Sequence, residues 1–257
     1  MIGFFIKKAF FDGWDNLISM VVHNLGYLVL LFAFFGVLSL VPSNLLFFLI
    51  IILGTGLFAF YTAGASSASW AYAHYQRPGW SDFKRGIRIS WRHALLFWVL
   101  LLLIATLTFL VIPFYLSFEN IVGTILSVIL FWVTLLLIFA QMYFFPLFFV
   151  MQGDRPMKTL KKSFLLVLDN PFFTLFLVVY QTINILFSLL FALLAPGFTG
   201  IGLACSVATK LLLFKYDYLE ENPEANRKAI PWDDLLYDER EAVGPRSLKG
   251  MIFPWKD

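Results

Sequence analysis

Six apolar runs, each long enough to cross a lipid bilayer, constrain this chain more than any other feature of its sequence. A membrane-spanning helix needs about 20 apolar residues at 1.5 Å rise each. The runs are read at residues 17–40 (closed by Pro42), 45–72, 94–116, 121–151, 172–193 and, shorter and richer in glycine, 197–214. The fourth is so long that it must tilt, extend past the hydrocarbon or kink at Pro146. Composition agrees. Of the 257 residues 60% are hydrophobic and only 14% charged, where a soluble domain carries about a quarter charged side chains.

Charge sets the expected orientation. Apart from Lys210, every Lys and Arg lies in the N-terminal segment, in 77–92, in 155–162, or from Lys215 onward. The alternate loops, 42–44, 112–120 and 195–196, hold no basic residue, and Glu119 is their one charge. Short basic loops stay in the cytoplasm, so both termini are expected there, which requires an even number of spans. Lys7 and Lys8 do not open a cleavable leader, because Asp12 and Asp15 interrupt what would be its apolar core. The single Cys205 excludes an internal disulfide.

The basic segments repeat. Lys7-Lys8, Lys84-Arg85 and Lys161-Lys162 recur at 77-residue intervals (7, 84, 161). In the same register stand Ile6, Phe83 and Leu160; Phe10, Ile87 and Phe164; Trp14, Trp91 and Leu168; and the small residues Ala9, Gly86 and Ser163. Apolar residues at i, i+4 and i+8 share one helical face, with the basic pairs to its side. Two spans follow each copy, so the unit reads as an amphipathic helix in the interface plus a transmembrane hairpin. The expected fold is an all-α membrane domain over 1–217, built from three parallel repeats (about 1–77, 78–154 and 155–217) around a pseudo-threefold axis along the membrane normal. Residues 218–257 form a charged cytoplasmic tail. Its Trp232, Leu235, Leu236, Met251, Ile252, Phe253 and Trp255 predict a short helix near 232–238 that docks on the interfacial helices.

Candidate chemistry is sparse. Lys7, Lys84, Arg85, Lys161 and Lys162 are the expected contacts to anionic lipid headgroups. Lys210 sits inside the sixth apolar run, where it either snorkels to the interface or finds a partner in a cavity between repeats; it is the one candidate functional charge within the membrane. His23, His74 and His93 read as interfacial residues rather than metal ligands. Gln141, Gln181, Asn184 and the small-residue clusters at 62–69 and 202–209 read as helix-packing positions. No metalloprotease, nucleophile-elbow or Walker pattern occurs in the sequence, so neither an enzyme nor a cofactor is expected. Nothing points to nucleic acid.

Three stretches carry a resemblance: 62–69 (TAGASSAS) near the end of the second span; 80–86 (WSDFKRG) leading into Trp91; and 146–149 (PLFF) followed by 160–163 (LKKS), Asn170 and Pro171. In these the chain resembles the YesL-like family of bacterial multi-pass membrane proteins over roughly residues 1–217. Pro42 stands where the family carries a proline and threonine, here without the threonine. The resemblance implies a bacterial inner-membrane protein associated with carbohydrate uptake and degradation. The expected role is a non-enzymatic accessory component, partnered by a sugar-transport system or by further copies of itself. The rival role is a transporter or channel with a path along the pseudo-threefold axis. A wide polar axial cavity favours the second, and a core closed by large apolar side chains favours the first.

Overall fold

The computed structural model describes residues 1–227 and 229–246. In chain order the helices are α1 (Ile2–Asp15), α2 (Leu17–Ser39), α3 (Asn44–Ala73), α4 (Trp80–Thr106), α5 (Ile112–Leu116), α6 (Ile121–Val150), α7 (Pro156–Asp169), α8 (Pro171–Leu190), α9 (Gly197–Glu221), α10 (Trp232–Leu235) and α11 (Tyr237–Val243). A π-helical turn at Leu107–Val111 joins α4 to α5 without a break. That wider turn lies just before Pro113, which has no N–H to give the carbonyl four residues earlier. Six helical stretches are long and apolar enough to cross a membrane: α2, α3, α4 through α5, α6, α8 and α9. The chain is a multi-pass membrane protein by that measure. The stretches pair as the hairpins α2–α3, α4/α5–α6 and α8–α9.

One expectation fails. The amphipathic segments before the first and third hairpins are separate helices, α1 and α7, but the second is simply the start of α4. The reason is local. Asn16 and Asn170 have left helical geometry at the ends of α1 and α7, and Pro171 opens α8. Between Asp82 and Thr106 there is neither proline nor asparagine, so the hydrogen-bond ladder runs on. The apolar stripes are also only partly enclosed by protein. Phe83 and Leu160 are buried, Phe10, Ile87 and Phe164 are half-buried, and Ile6, Trp14, Trp91 and Leu168 face outward. In α1 the enclosed face is instead Phe4, Phe5, Lys8, Ala9, Phe11 and Asp12. Phe5 turns it inward by packing edge-on against Phe173, Phe176 and Tyr180 of α8.

The centre of the bundle is α9. Seventy-two per cent of its apolar window is buried, against 11–28% for the other five. Small residues make this possible, because they let backbones approach closely where apolar transfer from water cannot drive association. Gly202 of α9 abuts the Ser69 hydroxyl of α3, and Ser69 donates to the Thr199 carbonyl at 3.2 Å. Gly64 of α3 seats Phe83 and Ile87 of α4, while Gly86 of α4 seats Ser67. The two small-residue clusters of the sequence therefore meet face to face. Helices α3, α6 and α9 touch one another, and α1 packs on α9, α4 on α3, and α7 on α6.

The entry to α9 is fixed from the far end of the sequence. Asn24 of α2, fully buried, donates through Nδ2 to the carbonyls of Leu194 and Pro196, both at 2.8 Å. Its Oδ1 accepts from the Thr199 N–H at 2.9 Å. Ser188 Oγ accepts from the Gly197 N–H. These bonds satisfy a helix N-terminus that would otherwise be unpaired. Gly197 has φ +61° with Asn24 directly against its Cα, so a side chain is excluded twice over.

Candidate functional site

Four charges meet where α1, α9, α11 and the turn after α3 come together. Lys8, at i to Asp12, faces inward on α1 because the residues around it pack against α8 and α9. It is 0% exposed, with Nζ 3.0 Å from Asp12 Oδ2 and 3.1 Å from Glu239 Oε2. These are ion-pair distances, but the atoms are not aligned as hydrogen bonds. Lys210 of α9 reaches Glu239 Oε1 at 2.6 Å and donates to the Ala73 carbonyl at 3.1 Å. Tyr75, held at φ +58° in the turn, donates its hydroxyl to Glu239 Oε2 at 2.8 Å. Its ring lies beneath both ammonium groups, 3.7 Å from Lys8 Nζ and 5.1 Å from Lys210 Nζ. Cation–π attraction of this kind strengthens when the cation is desolvated.

The two carboxylates differ. Burial raises Asp12 to about 6, and the Lys8 charge offsets this only in part. Burial also raises Glu239, but the hydrogen bond from Lys210 and the charges of Lys8 and Lys210 outweigh it and hold the group below its ordinary value. Glu239 is thus the acid around which both lysines are arranged. Two lysines and two carboxylates sum to zero, the condition under which buried charges are tolerated.

This cluster clamps the C-terminal segment to the bundle. Leu236 and Val243 are buried beside it, and Trp232 packs on the same core. Lys7 donates to the Gly244 carbonyl at 2.8 Å, and Arg246 donates to both oxygens of Asp15 at 2.9 and 2.8 Å. The expected helix near 232–238 is two short helices broken at Leu236. Met251, Ile252, Phe253 and Trp255 lie outside the described residues.

Of the residues singled out by sequence, Lys210 is inside the cluster and paired, so snorkelling is not its state here. Lys7 binds the tail backbone, and Lys162 pairs with Asp154 at 2.6 Å. Lys84, Arg85 and Lys161 are exposed, with Lys84 over the Trp80 ring. The histidines do not converge. His23 contacts the Ser19 carbonyl and Tyr72, His74 the Trp70 carbonyl, and His93 the Thr159 hydroxyl. Among the described residues no group of three His, Cys, Asp or Glu is placed to hold a metal ion. Sequence reading missed Glu239, Asp12 and Asn24 as site or framework residues. The i, i+4 spacing of Lys8 and Asp12 was the one local signal available.

A second feature lies within the spans. A cavity of about 300 Å³ separates α2, α3, α4, α6 and α9. Tyr27, Phe58, Phe97, Phe145 and Phe198 form much of its wall, and Ser66, Gln141 and Thr199 supply neutral polar groups. Gln141 therefore faces this space, whereas Gln181 and Asn184 bind within the α8–α9 hairpin, Gln181 Nε2 donating to the Ile201 carbonyl at 2.9 Å. Comparison of the chain with protein-family models, with curated proteins and with solved structures finds no match.

Proposed function

We propose that the chain is a non-enzymatic accessory component of the bacterial cytoplasmic membrane that serves carbohydrate uptake by binding a partner protein, with both termini in the cytoplasm. The observation that carries this reading is the cavity. At about 300 Å³, walled by aromatic rings and lined by neutral groups, it is a poor path for a hydrated solute and better suited to holding a single apolar or weakly polar group. The sugar link rests on the resemblance in 62–69, 80–86 and 146–171. The cytoplasmic assignment rests on the hairpin order, which gathers the basic segments at one end of the bundle. The contacts of α1 on α9, α4 on α3 and α7 on α6 run in cyclic order, which supports three parallel units about one axis, the second with its interfacial segment fused to its span. The clamp at Glu239 turns the basic end into a built surface, which suits partner binding.

The test compares two measurements. Removing the chain from cells that express it should slow uptake of a labelled oligosaccharide, and a cavity-filled Ser66→Phe protein should restore it. The purified protein alone in liposomes should move no sugar. Flux through the purified protein, abolished by Ser66→Phe, would establish the transporter reading instead.

A further inference from the structure

The cavity carries unused hydrogen-bonding capacity. Thr199 is 1% exposed, yet its Oγ1 has no partner, and the amide nitrogen Nε2 of Gln141 is likewise buried and unpartnered. Both residues line the cavity, and so do Pro146 and Met142. Pro146 has no N–H to give the Met142 carbonyl one helical turn back, which leaves that oxygen without its usual donor. Buried polar groups in native proteins have partners, and an orphaned set around one space marks a place something else fills.

We infer that this cavity binds the polar end of an uncharged, hydroxyl- or carbonyl-bearing lipid. Charge excludes the alternatives first: among the described residues no charged side chain lines the space, so an ionised headgroup would enter without a counter-charge. Hydrogen bonding narrows it further. Gln141 Nε2 donates and the Thr199 hydroxyl can do either, a set that suits a group which accepts and can also donate. Tyr27, Thr62 and Ser69 also line the space, but their hydroxyl protons are spent on Thr62, the Phe58 carbonyl and the Thr199 carbonyl. Too few free donors therefore remain for the many hydroxyls of a free polyol, while the rings of Tyr27, Phe58, Phe97, Phe145 and Phe198 offer contact to hydrocarbon. Size sets the last limit. About 300 Å³ is the share of roughly ten waters, enough for a compact polar end but not for long chains. Ile138, one of the walls, is 40% exposed, so an edge of the cavity lies on the apolar flank where acyl chains can leave. This site does not depend on the accessory role proposed above.

The test uses the full chain in nanodiscs with two photoactivatable probes at equal mole fraction, a diazirine-bearing diacylglycerol and a diazirine-bearing phosphatidylcholine. Cross-linked peptides are then mapped. The diacylglycerol should be enriched several-fold over the phospholipid in segments 138–146 and 198–205, while both label 121–133 alike. Thr199→Val, which keeps the side-chain shape, and Gln141→Leu should each lower that enriched labelling roughly two- to tenfold, the loss of one net hydrogen bond. Ser66→Phe should abolish it. Should Ser66→Phe fail to fold, the Thr199→Val/Gln141→Leu double variant decides the matter. Equal labelling of both segments by the two probes, or full labelling retained in the double variant, overturns the assignment.

Discussion

Asp12 and Glu239 share one lysine, yet neutralising them should have opposite effects. Glu239→Gln removes the acid that faces the buried Lys8 ammonium, the half-buried Lys210 ammonium and the Tyr75 hydroxyl. Breaking a buried pair from one side costs about 3–5 kcal/mol, comparable to the ~1.5–3 kcal/mol that each of the buried Leu236 and Val243 contributes to tail docking. Asp12 behaves otherwise. Its carboxyl titrates at about 6 when folded against 3.8 unfolded, so the native state binds the proton more tightly between those values. The ionised group therefore costs roughly 3 kcal/mol above pH ~6, and the cost is relieved as pH falls toward ~4. Asp12→Asn at pH 7.5 should accordingly leave the tail as well docked as in the parent, or better. Glu239 has the reverse sign: its depressed value means that its contribution is present above pH ~4.5 and lost as pH falls through the folded value. The assay is limited trypsin digestion at Arg240 within α11, whose rate follows the open population when reclosing is fast. Because the Lys210 and Glu239 side chains keep 11% and 12% exposure, the low end of the cost of breaking a buried pair applies. Glu239→Gln should therefore accelerate cleavage on the order of 100-fold, since 1.4 kcal/mol is a factor of ten. Hydrogen exchange of α11 at pH 5 should bring the parent and Asp12→Asn together. Equal acceleration by the two variants at pH 7.5, or cleavage of Glu239→Gln at the parent rate, would refute the assignment of roles in the cluster.

Asn24→Leu strands the Leu194 carbonyl and the Thr199 N–H at the start of α9, each costing about 1–3 kcal/mol if left buried and unpaired, while the Pro196 carbonyl keeps its bond from the Gly200 N–H; the melting temperature in detergent should drop sharply. Gly197→Ala should also lower it, through the left-handed backbone and the collision with Asn24, whereas Gly3→Ala, with open space around it, should not. Lys210→Met leaves the Ala73 carbonyl and half of Glu239 unserved, so trypsin should open the tail faster in this variant than in Lys84→Met, whose ammonium is exposed. Single cysteines at Ser43 and Glu119 in a Cys205→Ser background should react with an impermeant thiol reagent in intact cells, and those at Ser81 and Met157 should not; labelling at Ser81 reverses the orientation.

The spans were legible because hydrocarbon demands long apolar runs, and most of their ends fell within a few residues of those observed, as at 121–151 against Ile121–Val150, while the third was read from 94 although its helix begins at Trp80. The third hairpin was harder. The sixth run was read as ending at 214, yet α9 continues to Glu221 because a helix satisfies its own backbone and can run on past its apolar stretch, here through residues 215–221 that are half-buried to exposed. Lys8 looked like half of a surface pair because its neighbour Lys7 and its counterparts at 85 and 162 are basic. What buries it is Phe5, whose pull toward α8 depends on residues 168 positions away (173 − 5). Glu239 is one of several acids in a charged tail, and no local pattern distinguishes the one that docks. Pairings of this kind are tertiary facts, invisible to periodicity.

The capping of α9 by Asn24 has a consequence for how the protein is made. The α8–α9 hairpin follows the other two along the chain, but the group that completes its fold belongs to α2, in the first of them. Until residues 194–199 arrive, Asn24 has no partner for either end of its amide, and until residue 239 follows, Lys8 and Lys210 lack the acid they share. The clamp across α1, α9 and α11 can therefore close only after residue 239 has been translated. A nascent chain that stalls between residues 199 and 239 should stand open on its α1 side, recognisable to quality-control proteases by two lysines that Glu239 would otherwise pair.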